Sequence, residues 1–306
     1  MEKLNTKLKD YIQFCQRQKC LKVATIRAYA IDLAQFANYV STTYIEDIVS
    51  KDIELYIIHL HSSYKPKTAK RKIASLKAFF HYCEFKEIIP KNPFNKVQIR
   101  FREPVTLPKT ISLTSLEILL TTIYNQRISA STPYKRRNAL RDIAVIELLF
   151  STGMRISELC NLTPSDVNLD DNIVHINGKG SKERKMQIGN INVKKILLEY
   201  KNSFLYEISK CNRFFVNQSG TPLSDQTARR MINKYTSLAS IEQHITPHMF
   251  RHTFASSLLD EDVDIRYIQE MLGHSSISTT QIYTHVTMAK QKNILSTKHP
   301  RNKFNI

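Results

Sequence analysis

No apolar run in the 306-residue chain approaches the length of a membrane span, and no signal-peptide pattern opens it. A cytoplasmic protein without membrane partners is expected. Cysteine is sparse: Cys15, Cys20, Cys83, Cys160 and Cys211 are scattered, odd in number and form no Cys-x-x-Cys pair. That argues against a disulfide framework or a zinc site and predicts buried free thiols. Acidic residues are also in short supply. There are 27 Asp+Glu against 45 Lys+Arg, a net charge of +18. The excess is spread evenly. Up to Glu103 the chain holds 19 basic and 10 acidic residues, and the remainder carries 26 and 17, so each part nets +9. A single basic tail would leave one part neutral. Two domains that each touch a polyanion, with nucleic acid as the default, fit the distribution better. A solvated basic surface is the competing reading.

What is present is ordinary globular sequence, 42% hydrophobic and 24% charged, without repeats or low-complexity segments. The first hundred residues read as helix. Ile26, Tyr29, Leu33, Phe36, Ala37 and Val40 form one stripe at spacing three and four over 25–40. Further helices are expected over 51–62 and 69–82, and the prolines of IIPKNPF end the bundle. Ahead of the third helix, YKPKTAKRK gathers Lys65, Lys67, Lys70, Arg71 and Lys72. Cations there oppose the helix dipole, a conflict that a phosphate backbone would relieve. A solvated charge run is the alternative.

The prolines and mixed polarity of residues 95–109 predict an extended inter-domain linker. Domain boundaries are placed at 1–103, with the linker core at 104–111 and a second domain over 112–306. Ser112 or Thr114 caps the first helix of that domain, and YNQRISASTPYKRRN (124–138) reads as a surface loop. A buried helix over 139–150 stops at Thr152-Gly153. Residues 172–177 and 184–188 are expected to pair as strands across Gly-Lys-Gly-Ser-Lys. Helices resume near Val193.

Four stretches carry candidate chemistry. STGMRISELCNL holds Arg155 just past a glycine, anchored by Ile156, Leu159 and Leu162. GKGSKERK presents Lys179 at a hairpin tip. In TPHMFRHTFA, Thr246 and Pro247 read as N-cap and first helical residue. That places His248 and Arg251 on one face, with Phe250 and Phe254 opposite, at a helix end that favours an anion. In DIRYIQEMLGHSSISTTQIYTH, Asp264 caps a helix that Gly273 ends, and His274 follows; Tyr283 lies nine residues on. Taken singly, His274 reads as a hydrogen-bonded structural histidine and Tyr283 as a packing residue.

Together these motifs resemble the tyrosine recombinase (phage integrase-like) family, in its Xer-like, simple integrase branch. The resemblance spans nearly the whole chain. It implies a mainly α fold with a small β-sheet or hairpin: an N-terminal helical, SAM-like core-binding bundle and a C-terminal α+β catalytic domain with a tail. The function it implies is site-specific cutting and rejoining of DNA through a covalent 3′-phosphotyrosine, without metal, ATP or other cofactor. Tyr283 would be the nucleophile. Arg155 and Arg251 would hold the non-bridging phosphate oxygens. Lys179 would protonate the leaving 5′-oxygen, with Lys182 and Lys185 as neighbours that spacing does not exclude. His248 would take the tyrosine proton or hold the phosphate, and His274 would donate a further hydrogen bond. Glu158 reads as a support residue, His252 and His285 as packing or capping. The implied partners are double-stranded DNA with paired inverted half-sites, a homo-tetramer on two sites, and an accessory DNA-bending or directionality factor. Two alternatives remain at this stage: a type IB topoisomerase and a catalytically silent DNA-binding protein. The compact first domain opposes the former and the complete residue set the latter.

Overall fold

The computed structural model describes residues 2–99, 108–178 and 183–273. The chain divides into two compact units, Met1–Val105 and Thr106–Ile306. Within the described residues the structure is mainly helical, with one small antiparallel sheet.

The first unit packs α1 (Leu4–Arg17), α2 (Val23–Tyr39), α3 (Ser50–Ser63) and α4 (Pro66–Phe85). Its core is aromatic. Phe36 meets Tyr56 edge-on at 5.0 Å and Phe80 at 5.9 Å, and Tyr11 meets Phe79 at 5.5 Å. Such edge-to-face pairs add to the area that burial removes from water.

Helix α4 begins earlier than its apolar stripe indicates, because Pro66 supplies a preset φ at the first helical position. The basic cluster therefore lies on the helix, and the helical period divides it. Lys65, Lys67 and Lys70 are exposed. Lys72 is not: its side chain is 2% exposed, hydrogen-bonded to Asp32 at 3.2 Å and to Gln35, with Tyr64 beneath it at 4.7 Å. Asp32 is fully buried and also accepts from Ser75 at 2.9 Å and from Arg71. A buried carboxylate needs such partners, which is why the sequence spends a lysine there. The expectation that Lys72 contacts DNA is thus corrected. Arg71 shares the same carboxylate while its side chain stays 47% exposed.

The second unit is built round α6 (Pro133–Thr152), whose residues Ile143 to Ile146, Leu148 and Leu149 are buried on every side. Helix α5 (Leu113–Ile128) packs against it, N-capped by Ser112, whose hydroxyl accepts from the Ser115 amide at 3.0 Å. The surface loop expected over 124–138 is mostly helix. Residues up to 128 extend α5, Pro133 starts α6 behind the N-cap Thr132, and only 129–132 connect them. Polar residues on the outer turns of two helices had the composition of a loop.

Helix α7 (Ile156–Asn161) leads to strands β1 (Val167–Asn168), β2 (Ile173–Asn177) and β3 (Glu183–Gln187), in that order across the sheet. The hairpin register pairs Ile176 with Arg184 and Val174 with Met186. Both expected strands are present, the first starting one residue later and the second shifted one residue earlier; β1 is an addition. Then follow α8 (Ile191–Ser203), α9 (Leu205–Cys211), α10 (Asp225–Leu238), α11 (Pro247–Asp260) and α12 (Ile265–Leu272). All five cysteines are free, but only Cys15, Cys83 and Cys160 are buried; Cys20 is exposed and Cys211 half-buried. Among the described residues no helix is long and apolar enough to cross a membrane.

Candidate active site

Helix α6 ends at Gly153, which takes φ +58°, a left-handed conformation that glycine reaches without a Cβ penalty. The chain then turns through Met154, which is buried, into Arg155, the N-cap of α7. Glu158, three residues on, accepts the Arg155 amide at 2.9 Å with one oxygen and the Arg155 guanidinium at 2.8 Å with the other. The Arg155 side chain remains 36% exposed, whereas that of Glu158 is 6% exposed. Burial pushes the Glu158 carboxyl up, but hydrogen bonds from Arg184 and Arg155 outweigh it and leave it below the usual carboxylate range. Glu158 is therefore an anion that holds a half-exposed guanidinium in place.

Arg251 reaches the same turn from α11. Its guanidinium donates to the Gly153 carbonyl at 2.9 Å and to the Leu272 carbonyl at 2.5 Å. This corrects the simple amphipathic picture of α11. Met249, Phe250, Arg251 and Thr253 are all buried, and Arg251 is only 4% exposed. The arginine turns inward because two helix C-termini, those of α6 and α12, offer carbonyls without helical partners. Thr246 and Pro247 occupy the expected N-cap and first positions, although the threonine side chain makes no capping bond. His248 is exposed in the first turn. His252, one turn further, is half-buried. Burial, then the charges of His248 and Arg251, hold its imidazole below the ordinary 6.5.

Helix α12 forms as its sequence predicts. Asp264 caps it by accepting from the Arg266 amide at 2.7 Å, and Gly273 closes it at φ +63°. One residue of this region escaped the sequence reading. Arg184 on β3 donates to both Glu158 oxygens, at 2.7 and 3.2 Å, and through Nε to the Met271 carbonyl at 2.8 Å. A signal for it existed. Strand alternation places Arg184 on the same face as the buried Met186, so an arginine points inward there.

The structure thus brings Arg155, Arg251 and the end of α12 together around the Gly153 turn. Lys179, Lys182, His274 and Tyr283 lie outside the described residues. Among those described, no group of three or more His, Cys, Asp or Glu is placed to hold a metal ion.

Residues 120–290 match the phage integrase family, and residues 8–85 match the phage integrase N-terminal SAM-like domain. A protein named tyrosine recombinase from Agathobacter rectalis is 64% identical over 304 residues, covering 99% of either chain. Tyrosine recombinase XerD of Halalkalibacterium halodurans is 33% identical, covering 98% of this chain and 100% of that one. Among solved structures, the XerH recombinase bound to its difH substrate after cleavage superposes with a TM-score of 0.76. At 23% identity, covering 93% of this chain and 83% of that one, it supports the fold. These matches leave the topoisomerase alternative without support. The chain belongs to the phage integrase family and is a tyrosine recombinase, an enzyme of site-specific DNA recombination.

Proposed function

We propose that Arg155 and Arg251 hold the non-bridging oxygens of the scissile phosphate while Tyr283 attacks phosphorus. The phenolic oxygen forms a bond to phosphorus, and the bond to the 5′-oxygen breaks, leaving a 3′-phosphotyrosine and a free 5′-hydroxyl. Lys179 delivers the proton that the 5′-oxygen takes up; His248 accepts the tyrosine proton or holds the phosphate, and His274 donates a further hydrogen bond. The ester conserves the energy of the broken phosphodiester, so rejoining needs no ATP. The observation that carries this reading is the shared turn. Arg251 is bonded to the Gly153 carbonyl, and Arg155 follows two residues later, braced by Glu158. Guanidiniums fixed before substrate arrives need no reorganisation in the transition state, and each such donor contributes about 3 kcal/mol.

Lys65, Lys67 and Lys70 on the exposed side of α4 supply contacts to the phosphate backbone in this proposal. Exchange between two duplexes cuts four strands, and one tyrosine per strand requires four protomers. We therefore include a homo-tetramer on two sites with inverted half-sites, acting in the cytoplasm with an accessory factor that sets direction. Domain limits near residues 103 and 112 belong to the same proposal.

The test is covalent capture. Wild-type protein is incubated with a pool of nicked duplexes carrying a randomised segment, and DNA that becomes covalently attached is recovered and sequenced. A single site with inverted half-sites is expected, and Tyr283→Phe should bind that site yet capture none of it. A persisting adduct in that variant would assign the nucleophile elsewhere, to the exposed Tyr267 first, since Tyr235 is buried with its hydroxyl donated to Asp142.

A further inference from the structure

Hydrogen bonds close a ring around the Gly153 turn. Glu158 holds Arg155, and Arg184 grips Glu158 with two N–H groups. The third edge of Arg184 donates to the Met271 carbonyl, and the next carbonyl along, that of Leu272, accepts from Arg251. Arg251 then returns to Gly153, two residues before Arg155. Within this ring Arg184 joins the Arg155 side to the α12 side. We infer that Arg184 is a positioning residue for strand cleavage, setting the placement of the Arg155 guanidinium relative to Arg251 by clamping Glu158 to the last turn of α12.

Three features support this. The side chain is 9% exposed, so its geometry is held by packing as well as by bonds. It lies against the end of α12 so closely that a Cβ on Gly273 would stand 3.2 Å from its Cδ and Nη1. Its Nη groups take the two Glu158 oxygens side by side while Nε points to the Met271 carbonyl, a spread that the planar guanidinium fork provides and the compact point charge of a lysine ammonium does not. A buried ion pair adds little net stability over apolar packing of the same shape, so geometry is the more distinctive contribution. The inference rests on the proposed reading that Arg155 and Arg251 hold the scissile phosphate.

The test uses the full chain and a nicked duplex bearing the sequence that wild-type protein captures. The scissile phosphate is all-oxygen, or carries one sulfur in the Rp or the Sp configuration. Single-turnover adduct formation, duplex affinity and melting temperature are measured for wild type, Arg155→Ala, Arg184→Met and Arg184→Lys. Arg155→Ala identifies the oxygen that Arg155 holds, through its altered Rp/Sp rate ratio. Arg184→Met should bind DNA as wild type does, cleave about 100-fold more slowly, and show a ratio displaced toward that of Arg155→Ala, since small misplacements cost that much. Arg184→Lys keeps the charge beside Glu158. It should recover the melting temperature while its ratio stays displaced. A wild-type ratio in either Arg184 variant, or full activity in Arg184→Lys, overturns the inference and leaves the reading of Arg155 intact. An unaltered ratio in Arg155→Ala removes that reading, and the inference with it.

Discussion

A methyl group added to Gly153 would stand 2.6 Å from Cδ1 of Phe254. The glycine is thus required twice, by its left-handed φ and by the α11 side chain against it. Gly153→Ala should destabilise the second unit by about 1–3 kcal/mol through backbone strain alone. It should slow cleavage by more than the loss of folded protein explains, since the turn it distorts carries Arg155. Denaturant midpoints and single-turnover rates on the same preparation check both. A variant of full activity per folded molecule would separate the turn from the chemistry.

The basic cluster on α4 should behave as two groups. Neutralising Lys65, Lys67 and Lys70 together should weaken binding to all duplexes alike and flatten the salt dependence, by about 0.9 in slope for each phosphate that the protein then fails to neutralise. Lys72→Ala should leave the slope unchanged and cost about 3–5 kcal/mol of stability, because Asp32 stays buried with one cation fewer. Filter binding across a salt series, beside urea unfolding, decides this; a changed slope in Lys72→Ala would contradict its buried placement.

His252 makes stability depend on pH. Its folded-state value lies below the ordinary 6.5, so between the two values the unfolded chain binds more protons. Stability therefore rises as pH rises through that window and is lost on acidification. Replacing it, as in His252→Asn, should flatten the dependence on the acid side of 6.5. Urea midpoints at several pH values measure it, and a slope that survives the substitution would assign the dependence to other groups.

The proton donor can be found with a 5′-bridging sulfur in the scissile linkage, which leaves as a thiolate and needs little protonation. Lys179→Ala should cleave ordinary DNA about 10²- to 10⁴-fold more slowly and the sulfur substrate near the wild-type rate. Arg155→Ala and Arg251→Ala should gain nothing from sulfur. Lys185 is the weakest rival, since it sits within β3 opposite His175, away from the turn. Rescue of Lys182→Ala alone would move the assignment three residues along the hairpin.

Local chemistry made much of this chain legible in one dimension. The stripe of α2, the Thr152-Gly153 stop, the Asp264 cap and Gly273 close of α12, and the paired strands all follow from short-range rules. The family motifs named Arg155 and Arg251 in the same way. What remained hidden depends on which way a charged side chain faces once helices and strands pack. Lys72 and Lys70 sit two residues apart in one basic run, yet one is buried against Asp32 and the other exposed. Arg184 sits in another such run, and its partners lie 26 and 87 residues away. The length of α5 and α6 was obscured because exposed helical turns and loops share a polar composition. Sequence thus determined most of the elements, several of their caps and the reactive residue types. Only tertiary packing decided which cations are desolvated and bonded, because that depends on carboxylates and helix-end carbonyls brought close from distant parts of the chain.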